Sequence, residues 1–488
     1  MYLRNHYVNC ILNIMIATLN DLFEKVVGQQ PNSVVKLSGD GSNRSYYRMS
    51  AGDSTLIGAV GTCVEENRAF VAMSEKFLSC GIDAPRVFAV SDDGLCYVQE
   101  DLGDLSLFAY MKESRDSQSF VPKDKSMLCH IMSILPRIQY EVARDFDFGV
   151  CYPVAAFDKR TVMWDFNYFK YCFLKGVGVE FNESLLEDEF EKMASMLLVD
   201  EENTFMYRDF QSRNVMIHDG RPFFIDFQGG RKGPVYYDVA SFVGQARACY
   251  TSQVVAEMVD AYLDALKVYR PVVRADFMRN LALFRVFRLL QNLGTYGFRG
   301  LYEHKKAFVE TIPGALAQLK EQLAMLHGEF SYIERLIAEI AELPMFAKQP
   351  VDGLTVDVMS FSYRRGIPDD YSGNGGGFVF DCRAIHNPGR YEPYKKLCGM
   401  DEPVMKFLET ESNIAAFLEN AYALVDNMVD TYKRRGFTHI QVCCGCTGGQ
   451  HRSVYSAEHI AHHVAEKFGV RVVVMHKMLN KKYVIEAK

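Results

Sequence analysis

The segment 204–227, TFMYRDFQSRNVMIHDGRPFFIDF, constrains this chain more than any other stretch. It contains apolar runs at 205–207, 215–217 and 223–225, separated by a polar loop and by an Asp-Gly turn. This pattern predicts a strand, a loop, a hairpin and a final strand. The polar residues of the segment are therefore expected in loops at the ends of strands.

Three polar side chains of this segment have the types and the spacing that phosphoryl transfer requires. Asp209 and Asn214 are separated as D-x-x-x-x-N, and Asp226 ends the last apolar run. In such a site one carboxylate accepts the proton of the acceptor hydroxyl, while an amide oxygen and a second carboxylate hold Mg²⁺ on the phosphates of ATP. We therefore predict Asp209 as the catalytic base and Asn214 and Asp226 as metal ligands. The alternative is that they only cap turns and end a strand.

The loop Y-R-D-x-x-x-x-N resembles the H-G-D-x-x-x-x-N loop of aminoglycoside phosphotransferase and choline kinase-like enzymes, with Tyr207 in place of the histidine. The run 226–242, which contains GGRKGPVYYDVASF, is similar to the anomeric kinases of N-acetylmuramate and N-acetylglucosamine. The resemblance implies phosphorylation of an amino sugar at its 1-hydroxyl, as in cell-wall recycling. It also implies that Asp238 is structural and braces the catalytic loop.

The segment 37–49, LSGDGSNRSYYRM, predicts the loop that covers the nucleotide phosphates. Its glycines and small polar residues let backbone N–H groups approach phosphate oxygens, although an ordinary hairpin has the same pattern. The E-D-L-G segment that begins at residue 100 stands where the resemblance places the connection between two kinase lobes. The predicted nucleotide contacts are Gly39, Gly41, Ser42, Asn43, Glu100 and Leu102.

The strand predicted at 54–60 lacks the lysine that pairs with nucleotide phosphates in most kinases. A glycine and an alanine stand in its place, and Arg44 or Arg48 is a candidate for the missing charge. Glu66, on the following predicted helix, would be the carboxylate partner of that lysine. Without the lysine we expect Glu66 on a solvated face.

Two further patterns lie in the predicted helical lobe. Arg285, Arg288 and Gln291 share one face of a predicted helix, where they either reach an anionic acceptor or are surface charges. The aromatic run 162–174 contains Trp164, the one tryptophan of the chain. We predict that this run is core, with a sugar-stacking platform as the alternative.

Length and composition set broader limits. A chain of 488 residues is too long for one ordinary core and indicates two or three domains. Its 49% hydrophobic and 24% charged residues are typical of a soluble globular protein, and its net charge of −7 argues against a dominant nucleic-acid surface. Its 13 cysteines follow no repeating framework, which favours reduced thiols in a cytoplasmic protein. No apolar run approaches the ~20 residues of a membrane helix.

The N-terminal region contains a short apolar run at 8–17 that is interrupted by asparagines and lacks a small-residue cleavage site. We therefore do not predict a signal peptide. We expect Met15 to be the working start and residues 1–14 to be an upstream extension. A short amphipathic helix is predicted at 20–27.

A linker is predicted at 344–353, and the chain after it has its own chemistry at 438–453, THIQVCCGCTGGQHRS. An apolar strand, a glycine-rich loop, a helical stripe and a second apolar strand predict a βαβ unit. Its loop lies at a helix N-terminus, where free N–H groups and the macrodipole favour an anion. The predicted contacts to a phosphorylated ligand are Cys446, Thr447, Gly448, Gly449, His451, Arg452 and Ser453.

Two other interpretations of this loop stay open. Cys446 and Arg452 have the C-x-x-x-x-x-R spacing of cysteine-dependent phosphatases, in which the loop lowers the thiol pKa and binds phosphoryl oxygens. Cys443, Cys444 and Cys446 suggest a metal site, but they lack paired C-x-x-C spacing.

The same domain resembles the C-terminal domain of the RNase adapter protein RapZ, through GCTGGQHRSV, SFSYRRGIP and FVFDCRAIHNPGRYEPYKKLCGMDEPV. In that family the domain binds glucosamine 6-phosphate and mediates assembly and RNA contacts. The resemblance implies that Asp381 joins the ligand site, and it implies an RNA or protein partner and a homo-oligomer. Gly389 stands where relatives often carry a histidine or another ring. The P-loop motif of that family's other domain is absent from this sequence.

These observations predict a multidomain chain of class α/β and α+β. We expect an N-terminal extension with a short helix at 1–29. A two-lobed protein kinase-like fold of the phosphotransferase type should follow, with its small lobe at 30–104 and its helical large lobe at 105–343. A RapZ-like α/β domain is expected at 354–488. The expected cofactors are ATP and Mg²⁺. The alternative functions are a regulatory RNA or protein adapter with a nucleotide-sensing pseudokinase half, and a C-terminal cysteine phosphatase.

Overall fold

The computed structural model describes residues 2–37, 44–198, 204–343, 345–346, 353–368, 370 and 376–486, with only the backbone for residues 2–13 and 306. The chain divides into two compact units, Met1–Phe346 and Ala347–Lys488. This division falls inside the segment predicted as a linker. In the described ranges, no helix combines the length and the apolar character needed to span a membrane.

The first unit begins with a long helix, continues as a sheet and then consists mainly of helices. Its strands are β1 (Ser33–Lys36), β2 (Ser45–Ala51), β3 (Ser54–Val60), β4 (Val87–Val90), β5 (Cys96–Glu100), β6 (Phe205–Met206), β7 (Val215–His218), β8 (Arg221–Phe224) and β9 (Arg231–Lys232). Its helices are α1 (Tyr2–Val27), α2 (Val64–Ser79), α3 (Leu107–Tyr110), α4 (Lys112–Ser117), α5 (Pro122–Glu141), α6 (Lys159–Tyr168), α7 (Lys175–Val177), α8 (Glu183–Leu197), α9 (Tyr236–Val243), α10 (Ser252–Leu266), α11 (Arg274–Tyr296), α12 (Lys306–Val309), α13 (Ile312–Ala324) and α14 (Ser331–Ala341).

The small lobe is an antiparallel sheet with strand order β1-β2-β3-β5-β4. Side chains alternate along β5, so that Cys96 and Val98 pack with Leu19 and Phe23 of α1, whereas Tyr97 lies in the core cluster that contains α2. The two helices therefore cover opposite faces of the sheet. This arrangement and the helical lobe after it are the two-lobed fold predicted from the sequence.

One prediction for this unit is wrong, and another is confirmed only in part. The first helix spans Tyr2–Val27 instead of residues 20–27, since no glycine or proline interrupts the chain before residue 28. The aromatic run of α6 is only partly core. Phe166, Phe169 and Phe173 are fully buried, but Trp164 is 50% exposed because it lies on the opposite face of the helix.

The second unit is a five-stranded sheet with helices. Its strands, in the order β11-β12-β10-β13-β14, are β10 (Thr355–Ser362), β11 (Gly377–Asp381), β12 (His439–Cys446), β13 (Arg471–His476) and β14 (Lys481–Ile485), of which β14 alone among these is antiparallel to its neighbour. Its α-helices are α15 (Glu402–Glu411), α16 (Ile414–Arg434) and α17 (Arg452–Phe468). The predicted βαβ unit is β12, α17 and β13, and its loop lies at the carboxyl end of β12, where ligands bind in parallel α/β sheets.

A buried carboxylate on α9 holds the catalytic loop of the first unit. Asp238 is fully buried, and its two oxygens accept the backbone N–H groups of Tyr207 and Arg208, each at 2.8 Å. Arg208 has a left-handed backbone with φ of 76°, a conformation that costs energy outside glycine. Asp238 therefore fixes the backbone immediately before Asp209. Burial, partly offset by these two N–H groups, raises the pKa of Asp238 to about 7.

This pKa predicts how the stability of the first unit depends on pH. The carboxyl pKa is higher in the folded state than in the unfolded chain, so the folded state binds more protons between about pH 4 and 7. The free energy of unfolding should therefore fall as pH rises through this window, and Asp238→Asn should make that slope shallower. Urea unfolding followed by the fluorescence of Trp164 reports on this unit alone, because it holds the one tryptophan of the chain.

The control for this prediction is Asp219→Asn in the exposed β7–β8 turn, which should keep the wild-type slope. An unchanged slope in Asp238→Asn would contradict the burial argument.

Candidate functional site

The catalytic loop connects β6 to β7 and places Asn214 against both predicted carboxylate residues. The amide nitrogen of Asn214 donates to the backbone oxygen of Asp209 at 2.8 Å and to Oδ2 of Asp226 at 3.1 Å. The backbone N–H of Ile225 donates to the carbonyl oxygen of Asn214 at 3.0 Å. These bonds bring the three residues singled out in the sequence into one site.

Asp226 occupies the turn after β8 with a left-handed backbone, at φ of 65°. Its Oδ1 accepts Nε2 of Gln228 at 2.8 Å. Burial and then the negative charge of Asp209 raise the pKa of Asp226. Both effects penalise the ionised carboxylate, and a cation bound between Asp209 and Asp226 would relieve the repulsion.

The side-chain oxygen atoms of Asn214 and Asp226 are of the type that binds Mg²⁺. The amide nitrogen of Asn214 donates both side-chain hydrogen bonds. Its side-chain oxygen is therefore available as a ligand for a hard cation. In the part of the chain that the structure describes, no group of three or more His, Cys, Asp or Glu side chains could hold a metal alone. Magnesium usually takes one or two protein carboxylates and completes its shell with phosphate oxygens and water. Two protein ligands, Asn214 and Asp226, are therefore enough for a magnesium ion that is also bound to a nucleotide.

Tyr207 stands where the resembling enzymes carry a histidine, and its contacts are structural. The side chain is fully buried, its hydroxyl donates to the carbonyl oxygen of Ile225, and its ring meets Phe227 edge-on at 6.1 Å. Burial, followed by nearby carboxylates, raises the pKa of Tyr207, so the phenol stays protonated and keeps donating. Tyr207 therefore braces the segment that carries Asp226.

A stack of aromatic rings joins α2 to this segment. The ring of Phe227 lies parallel to Phe70 at 4.9 Å and nearly parallel to Phe77 at 4.7 Å. Phe70 in turn stacks on Tyr97 of β5 at 5.2 Å. Because Phe227 directly follows Asp226, the position of α2 and the position of this carboxylate are mechanically coupled.

A cluster of charged residues beside the catalytic loop, formed by Arg208, Asp165 and Arg231, was not predicted from the sequence. Nη2 of Arg208 lies 3.8 Å from Oδ1 of Asp165 on α6. Arg231 is 3% exposed, and burial followed by the nearby charge of Arg208 lowers its pKa to about 10. Asp165 is the carboxylate that offsets both arginines. The one sequence signal was Arg208 itself, at a position where the resembling loop carries glycine.

The face of α11 that carries Arg285, Arg288 and Gln291 is mostly buried. The alternative that these residues are surface charges is therefore wrong. Arg288 donates to the hydroxyl of Tyr237 at 2.6 Å and to Oγ of Ser241 at 3.2 Å, and the same tyrosine donates to Gln291 at 3.1 Å. Arg285 is half-buried, and burial lowers its pKa. Arg288 and Gln291 brace α9, the helix that carries the loop-holding aspartate.

The predicted nucleotide contacts lie only partly in the described ranges. Gly39, Gly41, Ser42 and Asn43 are outside the described residues. Glu100 ends β5, and its carboxylate accepts the N–H of Arg86 at 3.2 Å. Leu102 is buried, and its carbonyl oxygen lies 3.3 Å from Nδ1 of His218 on β7. The segment after β5 is thereby attached to the helical lobe, as a connection between lobes requires.

In the second unit the predicted phosphate loop is fixed at both ends. The N–H of Gly449 donates to Sγ of Cys446 at 3.1 Å, and Oγ of Ser453 lies 3.1 Å from the same sulfur. Ser362, at the end of β10, donates to the carbonyl oxygen of Thr447 at 2.7 Å. The loop is therefore tied to the neighbouring strand and to the start of α17.

Arg452 and His451, which were predicted to contact a phosphorylated ligand, contact backbone carbonyl oxygens in this structure. Nη1 of Arg452 donates to the carbonyl oxygens of Arg383 at 2.8 Å and Ile385 at 2.9 Å. Nε2 of His451 lies 2.9 Å from the carbonyl oxygen of Tyr394. Both side chains are buried, so they shape the rim of the loop.

Asp381 ends β11 and lies in register with Gly445, next to the loop. Its carboxylate pairs with Arg383 at 2.6 Å, and this contact holds the pKa of Asp381 below its usual value. A Cβ at Gly389, where relatives often carry a ring, would lie 3.2 Å from the ring of His451. A glycine at this position therefore leaves room for the histidine.

The Cys446 thiol has an unusual environment. Burial would raise its pKa, but the Ser453 hydroxyl, the N–H groups of Ser453 and Gly449, and Arg452 together lower it. The side chain is nevertheless only 2% exposed, whereas a nucleophile must reach the phosphorus atom. Thr447 and Gly448 are the exposed residues of this loop. Among the described residues, the neighbouring cysteines form no group that could hold a metal.

Comparison with known families gives two matches along the chain. Residues 33–275 match the phosphotransferase enzyme family, and residues 354–480 match the RapZ C-terminal domain. The first match includes the catalytic loop, and the second includes the loop at the start of α17. Both resemblances predicted from motifs are confirmed at this level.

Curated relatives match a limited part of the chain. A nucleotide-binding protein of Geobacillus kaustophilus is 34% identical over 137 residues, which cover 28% of this chain and 44% of that protein. A nucleotide-binding protein of Dechloromonas aromatica is 38% identical over 132 residues, 27% of this chain and 44% of that protein. The chain thus spans less than half the length of the curated relatives it matches.

Two solved structures resemble this chain at low sequence identity. The ADP-bound aminoglycoside phosphotransferase APH(2″)-Ib is 13% identical, with 64% of this chain and 98% of that chain covered and a TM-score of 0.44. Choline kinase LicA from Streptococcus pneumoniae is 15% identical, with 61% and 97% covered and a TM-score of 0.42.

The family matches agree with the architecture and with the site geometry. The catalytic loop lies in the matched phosphotransferase segment, and the glycine-rich loop lies in the matched RapZ segment. Residues 33–275 therefore form a domain that matches the phosphotransferase enzyme family, and residues 354–480 form a domain that matches the RapZ C-terminal domain.

Proposed function

We propose that the first unit transfers the γ-phosphate of ATP to the 1-hydroxyl of an amino sugar, with Mg²⁺ as cofactor. The observation that carries this proposal is the convergence of Asp209, Asn214 and Asp226 in a loop held by Asp238. Phosphoryl transfer depends mainly on positioning and on charge stabilisation, which a rigid loop with these donors supplies.

In this mechanism Asp209 orients the acceptor hydroxyl and takes its proton as the acceptor oxygen bonds to the γ-phosphorus. The bond from that phosphorus to the β-phosphate oxygen breaks, and ADP leaves. Asn214 and Asp226 would hold the magnesium ion, which supplies charge neutralisation on the phosphates. The repulsion between Asp209 and Asp226 would then be relieved.

The amino sugar is the acceptor that the sequence features favour. The run 226–242 is similar to anomeric kinases of N-acetylmuramate and N-acetylglucosamine. The second unit has a RapZ C-terminal domain, and the resemblance to that family implies an amino sugar phosphate ligand. An acceptor from the same class of sugars would give both units related ligands.

Asp209→Asn should strongly slow transfer without abolishing nucleotide binding. Because the amide cannot accept the hydroxyl proton, we expect kcat to fall by about 10²- to 10⁴-fold, the range of general base catalysis, with the Kd for ATP almost unchanged. Purified protein would be incubated with ATP, Mg²⁺ and a panel of amino sugars. Phosphorus NMR would distinguish a 1-phosphate from a 6-phosphate.

Asp219→Asn is the matched control, since Asp219 is 86% exposed and lies in the β7–β8 turn, outside the loop that connects β6 to β7. Binding of ATP without product for any acceptor would contradict the kinase proposal. That result would favour a regulatory adapter whose kinase half senses a nucleotide.

We further propose that the loop 447–451 of the second unit binds the phosphate of an amino sugar phosphate through its backbone N–H groups. The loop precedes α17, and the N-terminus of a helix of this length attracts anions. Thr447 and Gly448 are exposed, so a ligand can approach them, and Gly448 has no atom within 4 Å of its Cβ position. An RNA or protein partner and a homo-oligomer remain proposals from the RapZ resemblance.

Thr447→Glu should weaken binding of glucosamine 6-phosphate by at least about 10-fold, because the added carboxylate repels the phosphate at short range. Thr410→Glu, the same substitution on the exposed face of α15, should have no effect. Isothermal titration with glucosamine 6-phosphate and with glucosamine would measure both. Equal affinities in the two variants would contradict this location of the site.

The same protein tests the phosphatase alternative. Release of inorganic phosphate from a phosphate ester, abolished by Cys446→Ser, would show that the thiol acts as a nucleophile despite its burial.

A further inference from the structure

The strand that carries the phosphate-binding lysine in most kinases has no room for one here. A Cβ at Gly58 would lie 2.8 Å from Sδ of Met49 and 2.9 Å from Cδ1 of Leu19, both fully buried. The next residue, Ala59, is fully buried in the core cluster that contains α2. Helix α1 thus occupies one face of the strand and α2 occupies the other, so the cation must come from elsewhere.

Arg44 supplies a cation from the neighbouring strand. It directly precedes β2, whose first residue pairs with Val60 at the end of β3. Nη2 of Arg44 lies 2.9 Å from Oε1 of Glu66, in the first turn of α2, and the side chain of Arg44 is 1% exposed. Glu66 is therefore the partner of a buried cation, and the expectation of a merely solvated face is wrong.

The guanidinium of Arg44 also lies toward the metal-binding segment. Its central carbon is 5.7 Å from the ring centroid of Phe70, which stacks on Phe227 at 4.9 Å. Through Phe70, Arg44 is thus connected to the segment that carries Asp226 while it is bound to α2.

Arg48, the other candidate from the sequence, is engaged elsewhere. Its Nε lies 2.8 Å from Oδ2 of Asp101, and its Nη1 lies 2.9 Å from Oδ2 of Asp104. Both carboxylates belong to the segment after β5, and Asp101 also accepts the N–H of Gly103 at 3.0 Å. Arg48 therefore stabilises the connection to the helical lobe.

We propose that Arg44, anchored by Glu66, takes the place of the small-lobe lysine and binds the phosphates of the nucleotide. This inference rests on the proposed nucleotide-dependent kinase function. A guanidinium offers two parallel donors to a phosphate and keeps its charge when buried, whereas a lysine would bind as a point charge. The pair also links α2, through the aromatic stack, to the metal ligand Asp226.

The test compares nucleotides with and without phosphates. Arg44→Met should weaken binding of ATP and ADP by about 10- to 100-fold, because a charge-assisted contact to the phosphates is lost, and should change adenosine binding by less than about twofold. The ATP affinity of Arg44→Lys should lie between those of the wild type and Arg44→Met, since lysine keeps the charge but lacks the planar donor pair. Glu66→Gln should weaken ATP binding less than Arg44→Met does, and also spare adenosine.

Two variants serve as controls in the same titrations. Arg279→Met removes an arginine that is 65% exposed on α11 and should bind all three ligands as the wild type does. Arg48→Met should keep the wild-type ratio of ATP to adenosine affinity. Trp164 fluorescence on urea unfolding would show that each variant is folded, and Glu66→Gln keeps the test valid if Arg44→Met does not fold.

Binding is measured without an acceptor, so a wrong acceptor does not affect the result. Unchanged ATP affinity in Arg44→Met, or an equal loss for ATP and adenosine, would overturn this inference while leaving the kinase proposal intact. Failure of the wild-type chain to bind ATP would overturn both.

Discussion

The two hydrogen bonds from the backbone N–H groups of Tyr207 and Arg208 to Asp238 are the interaction on which the rest of the catalytic site depends. They hold a left-handed residue in the middle of the loop and so set the position of Asp209. The carboxylate is costly to bury, as its raised pKa indicates, and it is retained where two N–H donors converge on it. Arg288 and Gln291 extend this support by bracing the same helix through Tyr237.

Charges in the first unit are arranged around sites that a nucleotide and a cation would complete. Burial and then the charge of Asp209 raise the pKa of Asp226, and Gln228, Arg213 and Arg44 offset part of this rise. The aromatic stack of Phe70, Phe77 and Phe227 connects the helix of Glu66 to the same segment. Under the proposed function, nucleotide binding, the position of α2 and the position of Asp226 are therefore physically linked. A change in any one of them is expected to alter the other two.

The sequence predicted what local patterns determine. The D-x-x-x-x-N spacing and the glycine-rich loop before α17 follow from a few adjacent residues, and the structure brings Asp209, Asn214 and Asp226 together. Contacts between distant elements were not predictable in this way. The pairing of Arg44 with Glu66 and of Arg208 with Asp165 depends on how helices pack against loops, and so does the exposure of Trp164 in an aromatic run. The backbone bonds of Arg452 likewise involve residues almost 70 positions away.

We propose that Asn214 and Asp226 hold a nucleotide-bound cation beside Asp209. The most direct measurement is a crystal structure of the full chain with Mg²⁺ and a non-hydrolysable ATP analogue. We expect a magnesium ion bound by the Asn214 side-chain oxygen and an Asp226 carboxylate oxygen at about 2.1 Å, with the γ-phosphate facing Asp209. A bound analogue with no divalent cation between these residues, or with Asp209 turned away from the γ-phosphate, would contradict it.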